Sequence, residues 1–67
     1  MRIELNGSDQ EVRDGVSVGE LVRSLVEAPE RGVAAALEGA VVPRGEWDAT
    51  TVEEGQRLEV VRAVQGG

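Results

Sequence analysis

The residues best suited to chemistry in this 67-residue sequence are its last two, Gly66 and Gly67. They follow the stretch 59–64, whose valines favour a half-buried strand. Glycine has no side chain to pack and loses more backbone entropy on ordering than any other residue. We therefore predict an ordered strand that leads into a thin, flexible tail with the α-carboxylate of Gly67 at its tip. The alternative is a frayed terminus of the ordinary kind, which most domains have.

Composition excludes most other chemistry. The sequence contains no cysteine and no histidine, which removes a thiol nucleophile, a disulfide framework and the commonest general base and metal ligand. It contains no glycine-rich phosphate loop and no Ser/His/Asp set, and Glu53-Glu54 reads as a solvated turn rather than as an acid/base pair. We expect a chain that is not an enzyme and that binds no metal and no cofactor.

The charge balance is acidic, with 13 Asp and Glu against seven Arg and a net charge of −6. A nucleic-acid-binding protein would need a basic surface, so this class is disfavoured. The charge favours either plain solubility or steering towards a basic partner by residues such as Glu53, Glu54 and Glu59. With no apolar run of membrane-spanning length and no signal pattern, we expect a soluble, cytoplasmic protein that binds no membrane and is monomeric when free.

The first half of the sequence predicts a hairpin. Polar and apolar residues alternate over 2–6, which indicates a strand, and Asn6-Gly7 favours a type I′ turn. The return strand over 10–13 is weaker and should be a charged edge strand with only Val12 facing inwards.

A helix is predicted next, over 17–27. Ser17 and Glu20 have the spacing of a capping box, and Pro29 and Gly32 mark the exit. Apolar residues recur at helical spacing and should form the buried stripe; they are Val18, Leu21, Val22, Leu25 and Val26.

The second half predicts three more strands. The alanine-rich stretch 33–37 is ambiguous, but its turn-forming neighbours leave it too short for a helix, so we predict a strand. A short strand over 40–42 and a loop or helical turn over 44–48 follow, and the longest strand covers 58–64. Trp47 should pack on the domain edge, although an exposed anchor for a partner is the alternative.

This β-β-α-β-β-β order with a terminal Gly66-Gly67 resembles the ubiquitin-like β-grasp fold, an α+β fold with one helix on a mixed sheet. The segments Val42-Pro43-Arg44 with Trp47, and Glu53-Glu54-Gly55, resemble the ThiS family of thiamine-pathway sulfur carriers. The resemblance implies a β-grasp domain over 1–64 and a tail over 65–67. The partner-binding residues that it implies are Gln65, Gly66, Gly67, Arg44, Trp47 and Glu54.

The resemblance also implies a mechanism in which the protein is a substrate. An E1-like adenylyltransferase would activate the Gly67 carboxylate with ATP, and a persulfide sulfur donor would convert it to a thiocarboxylate. Thiazole synthase would then receive the sulfur for the thiazole ring of thiamine. Three alternatives remain at this point: a carrier like the small subunit of molybdopterin synthase, a ubiquitin-like protein modifier, and a small acidic interaction module.

Overall fold

The computed structural model describes residues 1–26 and 32–62, and in them the predicted element order is confirmed. The strands are β1 (Arg2–Leu5), β2 (Ser8–Glu11), β3 (Val33–Leu37), β4 (Ala40–Val42) and β5 (Arg57–Arg62). The helix α1 spans Val18–Leu25, and a 3-10 turn spans Arg44–Glu46. The strands form one sheet in the order β2-β1-β5-β3-β4, which places the longest described strand at its centre.

The first hairpin differs from the prediction in where its return strand begins. Asn6 and Gly7 both have positive φ, 51° and 86°, as a type I′ turn requires. This two-residue turn places Ser8 directly opposite Leu5, so β2 begins at Ser8 rather than at Gln10. Val12 consequently lies beyond the strand, although it packs half-buried against the core. The edge position of β2 is confirmed, and all four of its residues are exposed.

The helix is shorter than its apolar pattern suggests. The capping box is confirmed: the Ser17 hydroxyl accepts the N–H of Glu20, and a Glu20 carboxylate oxygen accepts the N–H of Ser17 at 3.0 Å. Val26 has extended backbone angles, so the helix ends at Leu25, and Glu27 of the predicted range lies outside the described residues. The prediction that Leu25 belongs to the buried stripe is wrong, because its side chain is 45% exposed.

The core lies between the helix and one face of the sheet. Its helical members are Val18, Leu21 and Val22, and Leu58 of β5 is fully buried beneath them. The two neighbours of β5 in the sheet, β1 (parallel) and β3 (antiparallel), contribute buried residues to the same layer. These residues are Ile3, Leu5 and Ala35. The strand prediction for the alanine-rich segment is confirmed, and the small side chain of Ala35 suits the closely packed centre.

The loop after β4 is bound to the start of the helix. The N–H groups of Val18 and Gly19 donate to the carbonyl oxygens of Thr50 and Trp47, at 2.8 and 3.0 Å. Together with the capping box, these bonds satisfy the N–H groups that a helix start leaves without partners inside the helix. The loop therefore holds Trp47 at a fixed place beside the core.

Candidate functional site

The predicted reacting residues Gly66 and Gly67, with Gln65, lie outside the described residues. The structure does describe the strand that leads to them, as far as Arg62. The two ends of this strand differ: the start end comprises residues 57–58 with the turn 53–56 before them, and the exit end comprises residues 60–62. The candidate site is therefore built from the exit end and from what surrounds it.

The exit end is paired on one side by β3. Val33 lies opposite Arg62 and Ala35 opposite Val60, so the antiparallel register continues to the last described residue of β5. On the other side, the parallel register with β1 stops at Leu5 and Leu58. The central strand thus extends past its neighbour β1 just before the predicted tail.

Beyond the end of β1, the side chain of Asn6 forms the next hydrogen bond to β5. The Oδ1 atom of Asn6 accepts the N–H of Val60 at 2.8 Å, and the backbone N–H of Asn6 donates to the Leu58 carbonyl at 3.0 Å. One residue of the first turn therefore contacts β5 through both its backbone and its side chain. The sequence indicated the turn at Asn6 but gave no sign of this contact, since the two residues are far apart in the chain.

Apolar side chains lie on the outer face of the sheet, opposite the helix. Val41 and Val61 are 73% and 60% exposed, and each lies directly opposite an alanine of β3. We call this surface the outer strip; its residues are Ala34, Ala36, Val41 and Val61. It was missed in the sequence because each valine is adjacent to another valine that faces inwards. Strict alternation along β4 and β5 is the signal that could have found it.

Trp47 is a core residue. Its side chain is 4% exposed, and its indole N–H donates to the Val42 carbonyl at 2.9 Å. The packing interpretation is confirmed, and the alternative of an exposed partner anchor is wrong. The ring and its bond fix the 3-10 turn against the end of β4.

Arg44 and Glu54 lie at opposite ends of the sheet. Because β4 and β5 are both antiparallel to β3, they run in the same direction, and Arg44 follows β4 at the end where Arg62 closes β5. Glu54 lies in the turn that precedes β5, where the Gly55 N–H donates to the Arg2 carbonyl. The structure therefore brings Arg44 near the exit end and leaves Glu54 at the start end.

The charges differ between these two ends. Arg44 and Arg62 are exposed, and neither forms an ion pair with another described residue. The start end carries Glu53 and Glu54, and its Arg57 is paired with a carboxylate of β1. The three acidic residues that were predicted to steer a partner are therefore not clustered. Glu53 and Glu54 lie at the start end, and of the three only Glu59 lies on the outer face beside the outer strip.

Among residues 1–26 and 32–62, one carboxyl group has a shifted pKa, and it lies away from this site. The hydrogen bond from the Ser17 backbone lowers the pKa of Glu20, and the side-chain bond from Arg13 lowers it further. In residues 1–26 and 32–62, no group of three acidic, histidine or cysteine side chains could hold a metal ion. No helix in these same ranges has the length and hydropathy that crossing a bilayer requires.

Comparison with known proteins identifies the family. The model of the ThiS family matches residues 2–67. The crystal structure of a thiamine biosynthesis protein (ThiS) from Geobacter metallireducens is 33% identical with a TM-score of 0.81, covering 100% of both chains. A solution NMR structure of a thiamine biosynthesis protein from the same organism is 33% identical with a TM-score of 0.80. That match covers 100% of this chain and 88% of the other.

A longer protein also contains a similar segment. This chain is 37% identical over 67 residues to a thiazole synthase of Magnetococcus marinus, and it spans 20% of the length of that protein. The five-stranded mixed sheet with one helix matches the ubiquitin-like β-grasp fold of the structural neighbours. On its sequence and its fold together, the chain belongs to the ThiS family.

Proposed function

We propose that this protein is a thiamine-pathway sulfur carrier whose Gly67 carboxylate is converted to a thiocarboxylate. An E1-like adenylyltransferase joins the carboxylate to AMP from ATP and releases pyrophosphate. The terminal sulfur of a persulfide donor then displaces AMP to give an acyl persulfide, and a thiol cleaves its S–S bond, which leaves the thiocarboxylate and a disulfide. The loaded sulfur then passes to thiazole synthase for the thiazole ring. The observation that carries the proposal is the ThiS family match, which extends to residue 67.

The chemistry explains why activation is needed. An α-carboxyl group has a pKa of about 3.3–3.7, so at neutral pH it is an anion and a poor electrophile. Adenylation removes that charge and installs a leaving group. The chain contains no cysteine that could capture the sulfur internally, so the sulfur stays at the terminus. The protein acts as a substrate and a carrier, and its partners perform the catalysis.

The described strand supports this role through reach. Gly67 lies five positions after Arg62, the last described residue of β5. Fully extended, five residues span at most about 18 Å, which is enough to enter the active site of a partner while the domain stays outside. Gly66 and Gly67 have no Cβ atoms, so a slot too narrow for other residues would accept them.

The outer strip is the surface that we assign to the adenylyltransferase. Its two valines are the most exposed large apolar side chains in the described part of the chain. Val61 belongs to the same strand that leads to Gly67, so a partner that holds the tail is brought to this face. Apolar contacts at the centre of an interface carry much of its binding energy.

The similarity to a thiazole synthase supports the proposal that this enzyme accepts the sulfur. A protein of that name contains a segment 37% identical to this chain along its whole length. A carrier domain that occurs within the same protein as a synthase would place the sulfur donor close to the site of its use. We therefore propose thiazole synthase as the recipient of the loaded sulfur.

Intact-mass analysis tests the proposal. The chain, ending at Gly67, is incubated with an E1-like adenylyltransferase, ATP, a persulfide donor and a thiol reductant. We expect one oxygen to be replaced by sulfur, in an ATP-dependent manner, and the sulfur to be lost when thiazole synthase and its substrates are added. Formation of isopeptide adducts with other proteins, without sulfur uptake, would instead identify a protein modifier.

A further inference from the structure

Asn6 joins the turn after β1 to the exit end of β5. Its backbone N–H donates to the Leu58 carbonyl, and its Oδ1 atom accepts the N–H of Val60, 54 positions further along the chain. Leu5 and Leu58 are the last Cα partners in the parallel register of β1 and β5. The Asn6 carboxamide therefore acts as one more backbone acceptor and extends this side of the ladder to Val60.

The turn alone does not require a carboxamide. Asn6 has a φ of 51° and is followed by Gly7 at 86°, a conformation that glycine, asparagine and aspartate all adopt. Glycine would adopt it with less strain than asparagine. What glycine cannot supply is the oxygen that meets Val60. The side chain of Asn6 therefore has a role beyond the turn.

The place of this contact connects it with the tail. Val60 is the last residue of β5 with a described bond on the β1 side, two positions before Arg62 and seven before Gly67. With the contact, β5 is held from both sides as far as Val60. Without it, β5 is held on that side only as far as Leu58. The direction in which the chain leaves the sheet is then less constrained.

We propose that Asn6 is a positioning residue for the reaction at Gly67, because its carboxamide fixes the exit end of β5 and so the origin of the tail. This inference rests on the proposed sulfur-carrier function. Misplacing a reacting group by about 1 Å can lower a rate by orders of magnitude. Here the effect is weaker, since it acts through one exposed hydrogen bond at a distance.

Two substitutions separate the turn from the contact. Asn6→Gly keeps the positive φ and removes the acceptor, whereas Asn6→Asp keeps both.

One neutral hydrogen bond corresponds to a factor of about two to ten in an equilibrium. We expect Asn6→Gly to raise the hydrogen exchange rate of the Val60 amide by such a factor and to leave the Ala35 amide unchanged. The kcat for sulfur loading should fall by a similar factor while KM is unchanged, because the outer strip is intact. Asn6→Asp should restore both values.

Each other result overturns the inference. A Val60 amide that exchanges in wild type as fast as an unprotected amide would exclude the contact. An equal rise at Ala35 and Val60 would reduce Asn6 to a general stabiliser of the sheet. If wild type takes up sulfur and Asn6→Gly takes it up with the same kcat, the positioning role is refuted while the proposed function stands. A wild type that takes up no sulfur would refute the proposed function together with the positioning role.

Discussion

The two ends of β5 are built differently. At the start end, the Gln56 carbonyl accepts the N–H of Glu4 at 2.9 Å, the Arg57 N–H donates to a Glu38 carboxylate oxygen, and Leu58 is fully buried. At the exit end, the described hydrogen bonds come from β3 and the Asn6 side chain, Val60 is half-buried, and Val61 is 60% exposed. One strand thus contributes stability at its first half and offers a surface at its second half.

The difference between the two ends of β5 shows how a small domain can keep a stable core and still present an exposed surface on the same strand. A chain of this size buries only about 60% of its unfolded surface, so its stability must come from a few well-placed residues. Leu58 is at the centre of that core. Leu58 supplies a fully buried side chain at the start end, whereas the exit end carries the exposed residues Val61 and Arg62.

The largest effect is expected at the start end. Leu58→Ala leaves a cavity in the core and should lower the free energy of unfolding by about 2–5 kcal/mol. This approaches the whole stability of a small domain. Urea denaturation measures the change. Leu25→Ala is the matched control, since Leu25 is 45% exposed, and it should cost less than about 1 kcal/mol. Equal losses for the two variants would contradict the described core.

At the exit end, the expected effect is on binding. Val61→Ala removes an exposed apolar side chain, so the free energy of unfolding should change by less than about 1 kcal/mol. The Kd for the adenylyltransferase should rise roughly fivefold, which corresponds to about 1 kcal/mol. Titration calorimetry measures this Kd. Leu25→Ala again serves as the control, because Leu25 is exposed but lies on the helix, and unchanged binding by Val61→Ala would exclude the outer strip as a contact.

A smaller effect is expected from single charges. Glu59 lies beside the outer strip, and a charge about 10 Å from a partner charge contributes about 0.4 kcal/mol in water. Glu59→Gln should therefore slow association with the adenylyltransferase by roughly a factor of two at low salt. Glu54 lies in the turn before β5, and the four steps from Arg57 to Val61 alone span about 13 Å, beyond the screening length of about 10 Å at 0.1 M salt. At 0.1 M salt, stopped-flow association rates should show no change for Glu54→Gln, and equal slowing by both variants at that salt would contradict a steering role limited to the exit end.

The smallest effect lies outside β5 and depends on pH. The pKa of Glu20 is lowered in the folded protein, first by the Ser17 backbone and then by Arg13. A carboxyl with a depressed folded pKa stabilises the fold above its unfolded pKa, and this contribution is lost as the pH falls through the folded pKa. Urea midpoints of wild type and Glu20→Gln should differ by a constant amount at neutral pH and converge as the pH falls from about 4.5 through the lowered pKa of the folded protein. A difference that persists in acid would exclude Glu20 as the titrating group.

Local patterns in the sequence were sufficient for the order of elements. The capping box, the Asn6-Gly7 turn and the alternation of the first strand each depend on residues that are close together in the chain. The helix end was less predictable. The apolar period continues through Leu25 and Val26, but Val26 adopts extended angles, so periodicity gave the direction of the stripe and not its length.

The candidate site was less accessible to sequence reasoning. Gly66 and Gly67 were found from their type and position, and they remain a prediction because they lie outside the described residues. Trp47 was predicted to pack on the domain edge, with an exposed partner anchor as the alternative, and only its burial decides between the two. Val60 and Val61 have the same side chain, so only the register with β3 shows which of them faces out. The contact of Asn6 with Val60 depends on tertiary packing alone.

The central claim, that sulfur is loaded at the Gly67 carboxylate, is tested most directly by moving that carboxylate. One alanine added after Gly67 displaces it by about 3.3–3.6 Å along the chain and leaves the described domain unchanged. Intact mass after incubation with the adenylyltransferase, ATP, the persulfide donor and the thiol reductant should show sulfur in the wild-type chain and none in the extended chain. Loading of the extended chain at the wild-type rate, without cleavage back to Gly67, would contradict the claim.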